Sequence, residues 1–199
     1  GHVFQTARHL LPVAEWNEAK ETATSQRQNN VALFGEFREL SEICEAAGFG
    51  VAGLKGLSLL DQVYTDWSIR PMTDIDLLVE AQHQDKIFFL LKEMGYRLCN
   101  EKKWRANAFK SVWNKKGDVF DLTIETHSRL FAGEPGGFRW AVCRDARGLH
   151  HLEREHLLIH LIGHLAHQHT FIKLFWLTDI DQILRQCEGD IDWPKLYWL

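Results

Sequence analysis

Asp74-Ile75-Asp76-Leu77-Leu78-Val79-Glu80 is the stretch on which the reading of this chain turns. Ile75, Leu77, Leu78 and Val79 are the residues of a buried strand, and two acids stand at its start. Alternate side chains of a strand share a face, so Asp74 and Asp76 point the same way, about 6–7 Å apart at Cα. Two hard anionic donors at that spacing suit Mg²⁺, which takes one or two carboxylates plus phosphate oxygens and water. A second ion about 3.5–4 Å away would complete a two-metal site for phosphoryl transfer. Asp-x-Asp occurs twice more, as Asp179/Asp181 and Asp190/Asp192. Both of those lie in or beside helical sequence, and the last reads as N-capping before Trp193-Pro194. Only the first pair opens an apolar strand.

Upstream of it lies Gly53-Leu54-Lys55-Gly56-Leu57-Ser58, a glycine-bearing passage from strand to helix. A helix starting just after Gly56 presents unpaired backbone N–H groups to a phosphate, with Ser58 adding a hydroxyl and Lys55 a charge. Arg70, four residues before Asp74, reads equally well as a phosphate ligand or as half of a structural ion pair. A third acid must come from a neighbouring strand. In Val119–His127, the side chains of Asp121, Thr123, Glu125 and His127 share one face. Asp121 and Glu125 are about 13 Å apart, so one is a ligand and the other is surface.

The rest of the chain organises around this centre. Apolar spacing predicts a helix over Glu15–Ala47 closed by Gly48, a short strand over Phe49–Leu54, and a helix over Leu57–Tyr64. Gln82–Met94 is an amphipathic helix closed by Gly95. The period then falls towards two in Tyr96–Leu98, Phe109–Trp113 and Val119–His127, the last two joined by a turn at Lys115-Lys116-Gly117-Asp118. Glu134-Pro135-Gly136-Gly137 breaks the chain, and from Leu152 to Cys187 the pattern is helical in two pieces. The expected class is α+β, a small mixed sheet flanked by helices with an all-helical C-terminal portion. Expected boundaries are 1–48 for the N-terminal helix, 49–135 for the α/β core and 150–199 for the helical region, with a soft boundary at 136–148.

Composition limits the alternatives. With 199 residues, 45% hydrophobic and 12% aromatic, the chain has enough material for a core, which excludes disorder as its main state. A net charge of −4 argues against a dedicated duplex-nucleic-acid binder. No apolar run approaches the roughly 18 residues of a membrane span. Four widely spaced cysteines and no visible signal peptide make a reduced, cytoplasmic setting the expectation.

Leu54-Lys55-Gly56, Tyr64, Arg70 and Asp74-Ile75-Asp76-Leu77-Leu78-Val79 together resemble the signature of a bacterial nucleotidyltransferase family of the DNA polymerase β-like superfamily. The resemblance extends through Ile124-Glu125-Thr126-His127-Ser128-Arg129-Leu130, then Leu157–Leu161, Trp176–Ile180 and Ile191-Asp192-Trp193, covering roughly 30–199. It implies that Asp74, Asp76 and Glu125 are the metal-binding catalytic triad and that Gly56 and Ser58 belong to the nucleotide-binding turn. Lys55 and Arg70 fall beside them. It implies Mg²⁺ or Mn²⁺ as cofactor and a nucleoside triphosphate as donor. The acceptor is open, a small molecule or protein being favoured over nucleic acid.

His156, His160, His164 and His167 form a stripe about 80° wide on one helix. It is expected to be a polar face, partly solvated or turned towards the cleft. His127, His160 and His164 are then candidates for contact with substrate. Two other readings stand beside the transferase. One is a catalytically degenerate binding or regulatory module, suggested by Leu57 directly after Gly56. The other is a zinc-dependent hydrolase built on the histidines, although the helix contains no His-Glu-x-x-His.

Overall fold

The computed structural model describes residues 10–99, 109–117, 120–131, 134, 138–168 and 174–199. It opens with α1 (Val13–Ala46), an unbroken helix in which Leu33, Phe37, Leu40 and Cys44 recur at spacings of four, three and four, and all are buried. Gly48 ends it: its φ of 82° turns the chain back, and the Phe49 N–H donates to Cys44 O at 3.1 Å. Next come β1 (Ala52–Gly53), α2 (Gly56–Gln62), β2 (Ile75–Leu78) and α3 (Gln84–Glu93). They are followed by β3 (Arg97–Leu98), β4 (Lys110–Lys115) and β5 (Leu122–His127). A short hairpin, β6 (Val142–Arg144) and β7 (His150–Leu152), precedes three helices, α4 (Arg154–Gln168), α5 (Leu174–Gln186) and α6 (Trp193–Trp198).

All seven strands join one sheet in the order β3-β4-β5-β2-β1-β7-β6. It is mixed: β2 runs parallel to β5 and β1 parallel to β7, while the other neighbours are antiparallel. This is the α+β arrangement expected from the sequence, with helices at its C-terminal end. The two faces of the sheet have opposite chemistry. Ile75, Leu77, Trp113 and Ile124 form one, fully buried in the core cluster that also holds Phe37 of α1 and Ile87 and Leu91 of α3. Even the polar atoms there are satisfied: the Trp113 indole N–H donates to Ser111 Oγ at 2.8 Å, and that oxygen lies 2.5 Å from Thr126 Oγ1. The other face carries Asp76, Glu125 and His127.

Three expectations are corrected. The strand over Phe49–Leu54 contracts to Ala52–Gly53. The stretch 136–148, expected as a boundary, contains β6, and His150–Leu152, expected to open the helical region, is the strand that pairs with β1. The physical reason is that β7 is needed to cover the open side of β1, and three residues are too few to show a period. Asp145 closes that hairpin, its Oδ1 accepting the Leu149 N–H at 2.8 Å. The remaining part of the expected break at Pro135-Gly136-Gly137, together with Asp118 and Val119, lies outside the described residues. Among the described residues no helix is long and apolar enough to cross a membrane.

Candidate active site

The β2–β5 pairing sets Asp76 directly opposite Glu125, with Leu78 opposite His127. Asp74 precedes β2 by one residue and shares the side of Asp76. Asp76 is 4% exposed, and both of its close contacts fall on Oδ1: Lys55 Nζ at 2.7 Å and His127 Nε2 at 3.1 Å. The same His127 nitrogen lies 3.7 Å from Glu125 Oε2, which Lys110 Nζ approaches to 2.5 Å. Asp76, Glu125 and His127 therefore each bring a ligand atom within 4.8 Å of the others.

The three acids differ in how their charge is met. Burial pushes Asp76 up, but the Lys55 ammonium and His127 outweigh it and hold the carboxyl far below its usual range. Burial likewise opposes ionisation of Glu125, and the bonds from His127 and Lys110 bring it down. Asp74 is raised, first by burial and then by the negative charges of Asp76 and Glu125. Among the described residues no lysine, arginine or histidine pairs with it, and its neighbour Thr73 Oγ1 lies at 3.3 Å. Asp76 and Glu125 thus each have a lysine partner, and Asp74 has none among the described residues. The group that could hold a metal ion is Asp76, Glu125 and His127, whose carboxylate oxygens are hard donors of the kind a divalent cation takes.

Above this floor is a cleft of about 370 Å³, lined among others by Lys55, Gly56, Arg70, Asp74, Asp76 and Glu125. Lys55 caps α2 with φ 46° and ψ −116°, a conformation that favours glycine. Gly56 has no room for a side chain: a Cβ there would come within 2.6 Å of Arg70 Nη1 and 2.9 Å of Met72 Sδ. Arg70 itself is buried. Its Nε and Nη2 donate to the Asp179 carboxylate at 3.3 and 2.9 Å, and Nη1 donates to Pro71 O at 2.8 Å. The Tyr64 hydroxyl donates to the same Asp179 at 2.7 Å, and burial with that carboxylate raises the phenol. Asp179, on the inner side of α5, is fully buried. It therefore ties the helical tail to the turn beneath the cleft.

Five of the sequence candidates, Lys55, Gly56, Asp74, Asp76 and Glu125, thus come together, with Arg70 at their edge and already committed to Asp179. Ser58 does not join them: it is fully buried and its hydroxyl donates to Gly53 O at 2.6 Å, where it fastens the turn from inside. Asp121 is exposed at the start of β5, four residues from Glu125. His164 lines the cleft, whereas His160 lies behind it, 2% exposed, with burial and then the Lys55 charge keeping its ring neutral. Of the two arrangements expected for the stripe, partial solvation is corrected, because His156, His160 and His164 are all buried, while His164 does turn to the cleft. Aromatic rings exclude water there: Trp140 meets His156 at 5.8 Å and His160 at 6.2 Å. The His167 side chain and His169 lie outside the described residues. Among the described residues no histidine of α4 joins a group of metal-ligand type.

Sequence reasoning missed Lys110, Phe175, Trp176 and the role of Asp179. The β4–β5 register sets Lys110 opposite His127 and diagonal to Glu125, a placement that no local pattern reveals. A second acidic group also went unseen. Asp61 of α2, Asp145 of the β6–β7 turn and His151 of β7 converge, with His151 Nε2 2.9 Å from Asp61 Oδ2. Arg147 closes over them, paired with Asp61 and with Asp145 at 2.9 Å.

A family model described as an uncharacterised nucleotidyltransferase matches residues 3–197. No curated protein and no solved structure matches the chain.

Proposed function

Because the chain belongs to this family of uncharacterised nucleotidyltransferases, we propose that it moves a nucleoside monophosphate from a nucleoside triphosphate to an acceptor hydroxyl. The observation that carries this reading is the register of Asp76 against Glu125, with Asp74 on the same side, beside the Lys55-Gly56 turn. The acceptor oxygen attacks the α-phosphorus, a new O–P bond forms, and the bond to the β-phosphate breaks. Pyrophosphate leaves, and the hydroxyl proton passes to solvent or to a carboxylate of the floor. Asp74, Asp76 and Glu125 would hold Mg²⁺, or Mn²⁺ in its place, which lowers the pKa of the acceptor and neutralises charge on the leaving group.

The chain's own groups divide the rest of the work. Lys55 offers positive charge to the triphosphate, Gly56 lets the backbone approach it closely, and Arg70, held by Asp179, braces the turn from below. His127 bridges Asp76 and Glu125 and keeps their carboxylates oriented. His164, on the cleft wall, is placed to meet substrate. The α/β core and the helical tail act as one catalytic unit, since the Arg70–Asp179 pair crosses between them. A small molecule or a protein is the favoured acceptor, given the net charge of −4. The unpaired Cys44, Cys99, Cys143 and Cys187 support a cytoplasmic setting.

Calorimetry with NTP and Mg²⁺ tests the proposal. Asp74→Asn combined with Asp76→Asn removes both charges at constant shape and is expected to weaken Mg²⁺-dependent binding on the order of 100-fold or more. Unchanged affinity in that variant counts decisively against it. A second reading, a binding module without turnover, draws support from Lys55 already seated on Asp76 and from Ser58 turned inward. Labelled NTP incubated with the protein and cell extract separates the two, since a binding module modifies nothing.

A further inference from the structure

Phosphoryl transfer accounts for the acids and the cations of the cleft but not for its aromatic wall. Phe175 and Trp176, from the first turn of α5, line it together with His164 of α4. The three rings pack against one another at tilted and edge-on angles. The Phe175 and Trp176 centroids are 5.2 Å apart, and the His164 ring stands nearly perpendicular to Trp176 at 5.5 Å and 79°. On the side nearest the phosphate turn, the Arg70 guanidinium lies over Phe175 at 5.3 Å. Aromatic rings that line a charged cleft offer it π-surface on which a flat group can stack.

The wall is also held rigidly. Asp179 sits one turn further along α5, fully buried and bound by both Arg70 and Tyr64. One helix therefore fixes the orientation of Trp176 relative to the Lys55-Gly56 turn. A cleft of about 370 Å³ is of the size that encloses one small ligand.

We propose that Trp176, backed by Phe175 and His164, is the seat of the nucleobase, so that one nucleotide spans the cleft with its triphosphate at the turn and its base stacked on α5. The inference rests on the transferase reading and adds to it the part of the donor that the aromatic wall holds. Stacking on a π-face is tolerant of base identity, so the seat is expected to accept more than one base. Selection between bases then falls to polar groups at the rim.

Intrinsic fluorescence titrations with ATP, GTP, CTP and UTP in Mg²⁺, set against inorganic tripolyphosphate, test it. In the wild-type protein the four nucleotides quench emission saturably and tripolyphosphate binds without quenching. Trp176→Phe keeps a ring, so affinity is retained while most of the quench disappears, and this isolates one of the chain's eight tryptophans. Trp176→Ala weakens nucleotide binding on the order of tenfold and leaves tripolyphosphate binding unchanged. Equal losses for nucleotide and tripolyphosphate, no loss for either, or an undiminished quench in Trp176→Phe would overturn the base seat while leaving the transferase reading intact. Failure of the wild-type protein to bind any of these probes overturns both. Should Trp176→Ala not fold, the Trp176→Phe quench decides alone.

Discussion

Two clusters in this molecule have nearly the same composition and opposite prospects. Asp76, Glu125 and His127 come together on one side of the sheet, and Asp61, Asp145 and His151 come together on another, each with ligand atoms within 4.8 Å. Over the second lies Arg147, whose guanidinium pairs with both carboxylates and rests 5.3 Å above the Phe34 ring. Its charge is largely met from within the chain, and its effect is to fasten the β6–β7 hairpin to α2. The first has Lys55 and Lys110, but Asp74 adds a third acid that no cation of the described chain touches. The comparison shows that counting ligand types does not identify a site. The unbalanced charge does, and its position at the floor of a cleft makes it usable.

Asp179 extends the comparison to its limit, being a carboxylate fully buried and fully satisfied. Asp179→Ala should therefore have the largest effect on stability, about 3–5 kcal/mol, because it strands the Arg70 guanidinium in the interior. Urea unfolding measures it, and a loss under about 1 kcal/mol would show that Arg70 finds water instead. Asp74→Asn should behave in the opposite way. It is expected to weaken Mg²⁺-coupled nucleotide binding by about 10- to 100-fold with no loss of stability, since it removes one of three crowded negative charges. A fall in both would mean that Asp74 is structural after all.

Smaller again is Asp61→Asn, worth about 1–2 kcal/mol because half-exposed Arg147 can turn to solvent. Nucleotide binding should not change, and if it does the two clusters are not independent. The smallest effect is in protons. The raised pKa of Asp74 means that the folded state binds its proton more tightly than the unfolded one, so its contribution to stability falls as pH climbs above the ordinary value of 3.8. Asp76 is lowered and contributes with the opposite sign: its stabilisation is present above that value and is lost as pH falls towards its own pKa. Mg²⁺ added at mildly acidic pH should accordingly release a fraction of one proton per protein, detectable in weakly buffered solution, and Asp74→Asn should release less.

What could be read from the residues alone divides along physical lines. The strand at Asp74–Val79 and the long helix through Leu33, Phe37, Leu40 and Cys44 were legible because their periods persist over several residues. The β6–β7 hairpin was not, because Val142–Arg144 and His150–Leu152 are three residues each and β6 is exposed. The pairing of Asp76 with Glu125 became visible only through register, although the shared face of Glu125 and His127 was apparent. Arg70 stood undecided between phosphate ligand and structural pair. Its partner, Asp179, reads only as an acid in or beside helical sequence, since spacing cannot tell which side of a helix is buried when both sides bear polar groups. The histidines of α4 misled for a related reason: imidazoles enclosed by Trp140 and Phe131 look polar in a sequence and behave as core.

Lys55 carries a consequence of its own. Its backbone adopts an angle natural to glycine, yet its ammonium is what steadies Asp76, so a single position answers two incompatible demands. Lys55→Gly would relax the bend and strip the acid of its counter-charge in one stroke. Thermal robustness and competence at this turn therefore pull against each other, and lineages that drift towards a softer bend would have to recruit a cation from elsewhere to keep the floor assembled.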